Sequence, residues 1–552
     1  MKWILVVAAA LSNLAMACGA SHPTVTSAPD LTQAPALLRV AGDKVLAPDG
    51  TPIVLRGVAF GNRVWYKKAV PSSHHSEVDY RRVADMGMNS VRFYLNYVTF
   101  EDDANPGVYK ADGWQWLDDN IAWAKKHGIY LVLNMHVPPG GWQSMGEGRA
   151  LWDDPAVQAR FIALWRAIAE RYRNEPTIAG YDILNEPVTT RSHDQWIELA
   201  NRTVRAVREV DPFHILFIER VNAVGSDWKE DANRNFFKVD DPNVIYEFHF
   251  YKPFNFVHQS ASWVDFAAEN TTYPDPNRVG VEWFLMDWRL ATFSNPKLAV
   301  GDSDWTYYEG AWFKVDDTNL ALAKPALVCQ QNSGKAYFDD IVLEKMGADG
   351  AGVEEVWRVN LTTHRGWYYW KAGGERDSGK SEVAPTGHED NASLSISGVK
   401  GDSNLGADIL MIRTEQGANY RLSGWMKGEN IPGAATCQIR LDFYSAEVPI
   451  QSWDKAFLAQ ELDAYIAWGK KQGVPLYVGE VGTIKASFEQ DRGGLRWVAD
   501  ILDLLLDRNL HFAYHDYHEN AFGLYFGDDT LPDPNNANTP LINLLTEKLV
   551  EQ

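Results

Sequence analysis

Eight short apolar runs alternate with longer amphipathic stretches, and this rhythm narrows the folds open to the chain. The runs are Ile53–Phe60, Ser90–Leu95, Tyr130–His136, Gly180–Pro187, His214–Arg220, Val244–Tyr251, Leu476–Gly482 and Phe512–Glu519. Helical patterns fill most of the gaps: Asp112–His127, Pro155–Arg173, Ser192–Val210, Asp454–Gln472 and Asp491–Arg508. Asp154 before Pro155 is a capping residue followed by a proline at the first helical turn. Repeated strand-then-helix units predict an α/β chain folded as a (β/α)8 TIM barrel. A doubly wound open sheet is the rival, but no Gly-x-Gly-x-x-Gly follows the first run.

The rhythm breaks after the sixth run. From about 295 to 450 the helical pattern gives way to short alternating runs: Gly310–Val315, Ala326–Cys329, Lys335–Leu343, Ala392–Ile396, Ile409–Thr414, Tyr420–Met426 and Cys437–Phe443. Gly, Asp and Asn separate them, which predicts an antiparallel β-sandwich. Helical rhythm resumes at Asp454, so the sandwich reads as an insertion after the sixth barrel strand. Long insertions in surface loops are tolerated because loop-closure cost grows slowly with length. The expected organisation is a barrel over 37–294 and 451–552, interrupted by a sandwich over 295–450. The 552-residue length exceeds one ordinary domain and agrees with that plan.

Lys2 precedes an apolar run, Trp3–Leu11, and small residues surround Cys18. This pattern reads as an export signal over 1–18, followed by a polar linker over 19–36. Cys18 stands where a bacterial lipoprotein carries its lipid; plain cleavage is the other reading. The expected location is therefore secreted or tethered to the cell surface. No later run reaches 18 apolar residues, so no membrane-spanning helix is expected. Cys329 and Cys437 remain as either one disulfide or two buried thiols. The formal charge of −21 disfavours a nucleic-acid partner, because acidic surfaces repel phosphate backbones.

In a barrel of this kind the chemistry sits at the C-terminal ends of the strands. Those ends carry Arg92, His136, Asn185-Glu186-Pro187, Glu219, His249-Phe250-Tyr251, Glu480 and Tyr514 through Glu519. Buried strands avoid unpaired charge, so this many polar ends point to a site rather than to chance capping. Two carboxyl groups across a barrel mouth suit cleavage of a glycosidic bond. One, protonated, assists the leaving oxygen, and the other, ionised, attacks the anomeric carbon. Phosphate-sugar isomerisation would instead want phosphate-binding glycines after the seventh and eighth strands; the segment directly after Glu480 offers only Gly482, and the eighth end is aromatic and acidic.

Several segments resemble glycoside hydrolase family 5, the cellulase family: Leu151–Pro155, Gly180–Pro187, His249–Gln259, Leu476–Glu480, Leu55–Val58 and Asn89–Arg92. The resemblance covers most of 37–290 and 454–552. It implies a retaining endo-hydrolase of β-linked glucan, with cellulose-like β-1,4-glucan foremost and mannan, glucomannan, mixed-linkage glucan and β-1,3-glucan still open. Glu186 would be the acid/base and Glu480 the nucleophile. Asn185 would hold the sugar 2-hydroxyl, Arg92 would keep Glu480 charged and Tyr251 would donate to it. His249 and His136 would orient sugar and carboxylates. The family usually ends its eighth strand with a Trp beneath the sugar; here His515 holds that place, with Tyr517 nearby.

Trp142 is expected in the cleft, while Trp65, Trp152 and Trp263 fit either cleft or core. His74-His75 reads as a solvated loop pair. His515, Asp516 and His518 have no second cluster at ligand spacing, so neither metal nor cofactor is expected. Parts of the insertion, Ala311–Leu343 and Arg365–Trp425, resemble a carbohydrate-binding module of the family 4/9 type in permuted order. Two of the residues Trp367, Tyr368, Tyr369 and Trp370 would face glycan, unless the sandwich is purely a brace. A non-catalytic glycan-binding lipoprotein is the alternative from another class.

Overall fold

The computed structural model describes residues 36–550 apart from 66–70, 72–73, 145, 265–270, 280–283, 287–293, 317–319, 351, 365, 373–377, 401–403, 409–411, 447–451 and 528–530. The export signal, most of the linker and Cys18 lie outside the described residues.

Eight parallel strands close into a barrel. In chain order they are β1 (Arg56–Phe60), β2 (Ser90–Asn96), β3 (Tyr130–Val137), β4 (Ile178–Asp182), β5 (Ile215–Glu219), β6 (Val244–Phe250), β7 (Leu476–Val481) and β8 (His511–Tyr514). Each pairs with its sequence neighbour, and β8 returns to β1. The strands are almost wholly buried, as parallel strands covered by helices on one side and packed on each other on the other must be. Close approach explains two glycines: a Cβ at Gly57 would lie 2.1 Å from the Ser90 carbonyl oxygen, and one at Gly180 2.3 Å from that of Ile215.

The main helices are α1 (Glu77–Asp85), α2 (Ala111–Lys126), α3 (Pro155–Tyr172), α4 (Asp194–Arg208), α5 (Lys455–Gln472), α6 (Gly494–Asp507) and α7 (Thr539–Val550). Asp154 caps α3 by accepting from the Ala156 N–H, and Asp454 caps α5 through the Phe457 N–H. Gly473, at φ 64°, ends α5 in the left-handed conformation that glycine adopts without steric cost. Three helices are fastened to strand ends by buried indoles, whose N–H groups need acceptors. Trp165 of α3 donates to the Ile183 carbonyl, Trp196 of α4 to that of Glu219 and Trp497 of α6 to that of Lys252. These bonds fix the rim that carries the strand-end residues.

The sequence pattern left α1 and α7 unread. In α1 only Tyr80, Val83 and Asp79 are buried, too few apolar positions to make a visible stripe.

Between β6 and β7 the described residues form a two-stranded sheet, which pairs Asp275–Val279 with Ser452–Trp453, and two large antiparallel sheets. One runs in the order Phe284–Met286, Thr436–Ala446, Leu320–Gln330, Asn404–Asp408 and Tyr368–Ala372. The other runs Gly301–Tyr308, Asn419–Ile431, Lys335–Met346, Ser393–Ser397 and Lys380–Ala384. Leu327, Phe338, Leu343, Leu422, Leu441 and Phe443 form a core separate from the barrel's. Cys329 and Cys437 face each other on neighbouring strands and form a disulfide. Trp367 is core, 1% exposed, and the side chains of Tyr368, Tyr369 and Trp370 lie outside the described residues. Among the described residues no helix is long and apolar enough to cross a membrane.

Candidate active site

Glu186 and Glu480 come to one end of the barrel from strands three apart in its closed order. Glu480 stands on β7, and Glu186 follows β4 after the chain has left the ladder at Asp182. One oxygen of each lies, with the His249 Nδ1–Nε2 ring between them, in a group whose ligand atoms are all within 4.8 Å of one another. His249 Nδ1 is 2.9 Å from Glu186 Oε1 and 3.4 Å from Glu480 Oε2. Glu186 is the more open of the two carboxyls, at 18% side-chain exposure against 7% for Glu480.

Glu480 is surrounded by donors. Arg92 Nη1 donates to Oε1 at 2.8 Å, Tyr94 Oη to Oε1 at 2.6 Å and Tyr251 Oη to Oε2 at 2.7 Å. Burial alone would raise this carboxyl, but the charges of His249 and Arg92 prevail and hold it well below the usual carboxylate range. The group is therefore ionised at neutral pH. For His249 the balance runs the other way. Burial disfavours its charge, yet Glu219, Glu480 and the bonds to Glu186 and Glu247 keep the imidazole well above its ordinary value.

Arg92 is fully buried and spreads its guanidinium over several partners: Asp182 at 2.9 Å, Glu247 at 3.0 Å, Glu480 at 2.8 Å and the Asn185 oxygen at 3.0 Å. Asn185 is thereby fixed, and its amide nitrogen donates onward to Ser144 Oγ. Gly479 makes this floor possible: a Cβ there would lie 1.6 Å from Glu247 Oε1. Burial lowers His136 well below its ordinary value; it stacks on Tyr94 at 4.0 Å and meets Trp142 edge-on at 6.0 Å. Half-buried Trp142 thus stands beside the site, as its loop position suggests.

His515 reaches the mouth, with Nδ1 3.1 Å from Tyr94 Oη and its ring 5.3 Å from that of Phe522. Burial lowers its pKa. Tyr517 does not join it. It is fully buried, bonds Asp79 Oδ1 at 2.9 Å and packs on Phe60, so it braces α1 against the barrel instead of touching a ligand. The cause is local: β8 ends at Tyr514, and the residues beyond it do not continue the strand's alternation.

The His74-His75 pair is buried, not solvated. His75 stacks on Phe60 at 4.0 Å and His74 on His518 at 4.6 Å. With His518 they form a second group of possible ligand atoms within 4.8 Å, which no sequence spacing announced because its members come from opposite ends of the chain. Trp152 is core, its indole donating to Gln143, whereas Trp263 is 44% exposed.

Sequence reasoning missed Tyr94, Asp182 and Glu247, and placed Glu219 only as a polar strand end. A signal existed for two of them. Tyr94 lies two residues beyond Arg92 and Glu247 two before His249, so strand alternation turns each to the same side as its neighbour.

Endoglucanase C of Acetivibrio thermocellus is 37% identical to this chain over 213 residues, covering 38% of the chain and 60% of the relative. A beta-xylosidase of Phanerodontia chrysosporium is 32% identical over 272 residues, covering 42% and 56%. The chain thus spans about 60% of the length of the first of these curated relatives. The solved endoglucanase Cel5A of Thermotoga maritima shares 17% identity, with 89% of this chain and 96% of that chain covered and a TM-score of 0.46. Residues 46–285, which hold β1 to β6 and Glu186, match the family model of the cellulases, glycosyl hydrolase family 5.

Proposed function

We propose that this chain hydrolyses β-linked glucan internally, by double displacement with retention at the anomeric carbon. The supporting observation is the close approach of Glu186 and Glu480 at one barrel end, with oxygens inside 4.8 Å. Retaining enzymes hold their carboxyls about 5 Å apart, whereas inverting ones need about 6.5–9.5 Å to admit water. The 37% identity to an endoglucanase supports the choice of substrate.

In the first step Glu186 gives its proton to the glycosidic oxygen as that bond breaks, and Glu480 forms an ester to the anomeric carbon. In the second, Glu186 takes a proton from water, the water oxygen bonds the anomeric carbon, and Glu480 leaves as carboxylate. Asn185, fixed by Arg92, is the group we assign to the sugar 2-hydroxyl. His515 and Trp142 are the rings we assign to the sugar's faces. The run Trp3–Leu11 supports an exported enzyme, with Cys18 as its lipid anchor. Half-buried Trp305 and Trp425, with Tyr307 at 44% exposure, support glycan contact by the sandwich.

The test is release of reducing ends from carboxymethylcellulose, mixed-linkage glucan, glucomannan, mannan and β-1,3-glucan, with the anomer of the first product followed by NMR. We expect release from β-1,4-linked glucans, β-anomer first. An α-anomer first would overturn retention, and no release from any polymer would overturn hydrolysis. Tyr94→Phe offers a finer check. It removes a donor to the charged Glu480, an interaction of about 1.5–3 kcal/mol, so kcat should fall roughly 10- to 100-fold with KM little changed. An unchanged kcat would remove Tyr94 from the site.

A further inference from the structure

Glu186 is a non-glycine residue with positive φ, 42°. A side chain in that left-handed region costs on the order of 1–2 kcal/mol, and the surroundings must enforce it. The preceding backbone groups have ordinary partners: the Ile183 N–H reaches the Phe217 carbonyl on β5, and the Asn185 N–H reaches that of Met135 on β3. The Glu186 N–H is instead taken by a side chain, Glu219 Oε2, at 2.6 Å.

Glu219 is built for that contact. It is the last residue of β5, fully buried, with its own carbonyl held by the Trp196 indole. Oε2 is also 3.6 Å from His249 Nε2, and the opposite nitrogen of that ring is the one facing Glu186 Oε1. One carboxyl therefore hydrogen-bonds the backbone that Glu186 hangs from and lies at ionic distance from the imidazole its side chain meets, at a nitrogen that Glu247 Oε1 also approaches at 3.7 Å. Glu247 lies beside it in register on β6, and Arg220 follows it in the chain.

We propose that Glu219 is a positioning residue that aims the acid/base Glu186 at the glycosidic oxygen by gripping its backbone N–H and the far side of His249. This rests on the glycosidase reading above. Glu219 touches no reacting atom, so its loss misplaces proton transfer and leaves the nucleophile in position. Burial is the main cause that pushes Glu219 up to about 8; His249 opposes, and Glu247 and Glu186 reinforce. Glutamine is its near isostere: the amide oxygen still accepts from the Glu186 N–H.

The experiment compares wild type, Glu219→Ala, Glu219→Gln and Glu480→Gln on two substrates: the preferred glucan, and 2,4-dinitrophenyl β-cellobioside, whose leaving group needs no proton. For Glu219→Ala, kcat/KM on glucan should fall on the order of 100-fold, the lower range for general acid catalysis, while kcat/KM on the aryl glycoside stays within threefold. Added azide, a nucleophile that needs no base, should restore kcat on the aryl glycoside. Glu219→Gln should stay within about tenfold of wild type on both. Equal losses on the two substrates, or no loss on either, would overturn the proposal. If Glu480→Gln matches wild type, or wild type cleaves neither substrate, the glycosidase reading itself falls, and that outcome is separate from the others.

Discussion

Glu480→Gln should lower kcat on the preferred glucan by on the order of 10⁴-fold or more, the scale of removing a nucleophile from a constellation that acts as a unit. An amide cannot form the ester, so no glycosyl intermediate accumulates. The substitution also disturbs its own surroundings. Arg92 and Tyr94 both donate to Oε1, and Tyr251 donates to Oε2. One end of the amide therefore presents an NH2 to a donor, and we expect a stability loss of about 1–3 kcal/mol from that mismatch. The pH dependence should change as well. A carboxyl held below its unfolded value stabilises the fold above about pH 4.3, and that contribution is lost as pH falls through the folded value. Glu480 has that direction of shift, so wild type should weaken in acid more steeply than the variant. Thermal unfolding followed by circular dichroism, with reducing-end assays alongside, checks both parts. Residual activity within tenfold of wild type would mean that another group attacks.

The barrel was legible because parallel buried strands leave dense apolar runs, and all eight observed strands begin within three residues of their expected starts. Strand ends were read less well. The fourth and eighth runs were carried on to Pro187 and Glu519, whereas the ladder stops at Asp182 and Tyr514. That error is harmless at Glu186, where the chain turns into the mouth. It misleads at Tyr517, where alternation no longer holds and the ring goes under the barrel rim. Charges read as strand ends were the most readable part of the site, which is why Arg92 and Glu480 stood out while Asp182 and Glu247, inside their runs, did not. Tyr94 did not, because a tyrosine in a strand resembles any core aromatic. The histidine group was invisible for a different reason: His74 and His518 meet only once the barrel closes, and local composition around Pro71-Ser72-Ser73 suggests an open loop.

Arg92 decides whether this charge-dense floor can exist at all. Asp182, Glu247 and Glu480 all contact its guanidinium within 3.0 Å, and none of the four side chains exceeds 7% exposure. Replacing it with methionine keeps a long apolar stem and removes the only arginine among them. Breaking a buried ion pair typically costs about 3–5 kcal/mol, because the abandoned charge stays desolvated. That is a large share of the roughly 5–15 kcal/mol that holds an ordinary domain folded. We expect Arg92→Met to lower Tm at pH 7 on the order of 10 °C. The sign of its pH response should also invert. Without the guanidinium the buried carboxyls escape part of the cost by keeping protons that the unfolded chain releases. A group whose folded pKa is raised contributes stability below its unfolded value, near 4, and loses that contribution as pH rises. Burial already raises Asp182 in the wild type, and Arg92 is what opposes it after the Glu247 charge adds to the rise. Arg92→Met should therefore be more stable at pH 5 than at pH 7, with Glu480 protonated and catalysis lost even where the barrel remains folded. Arg92→Lys should recover part of the stability and little of the activity, since an ammonium is a point charge and cannot fork to carboxylates on three strands. A Tm for Arg92→Met equal to wild type at pH 7 would show that the floor is held by protons and hydrogen bonds alone.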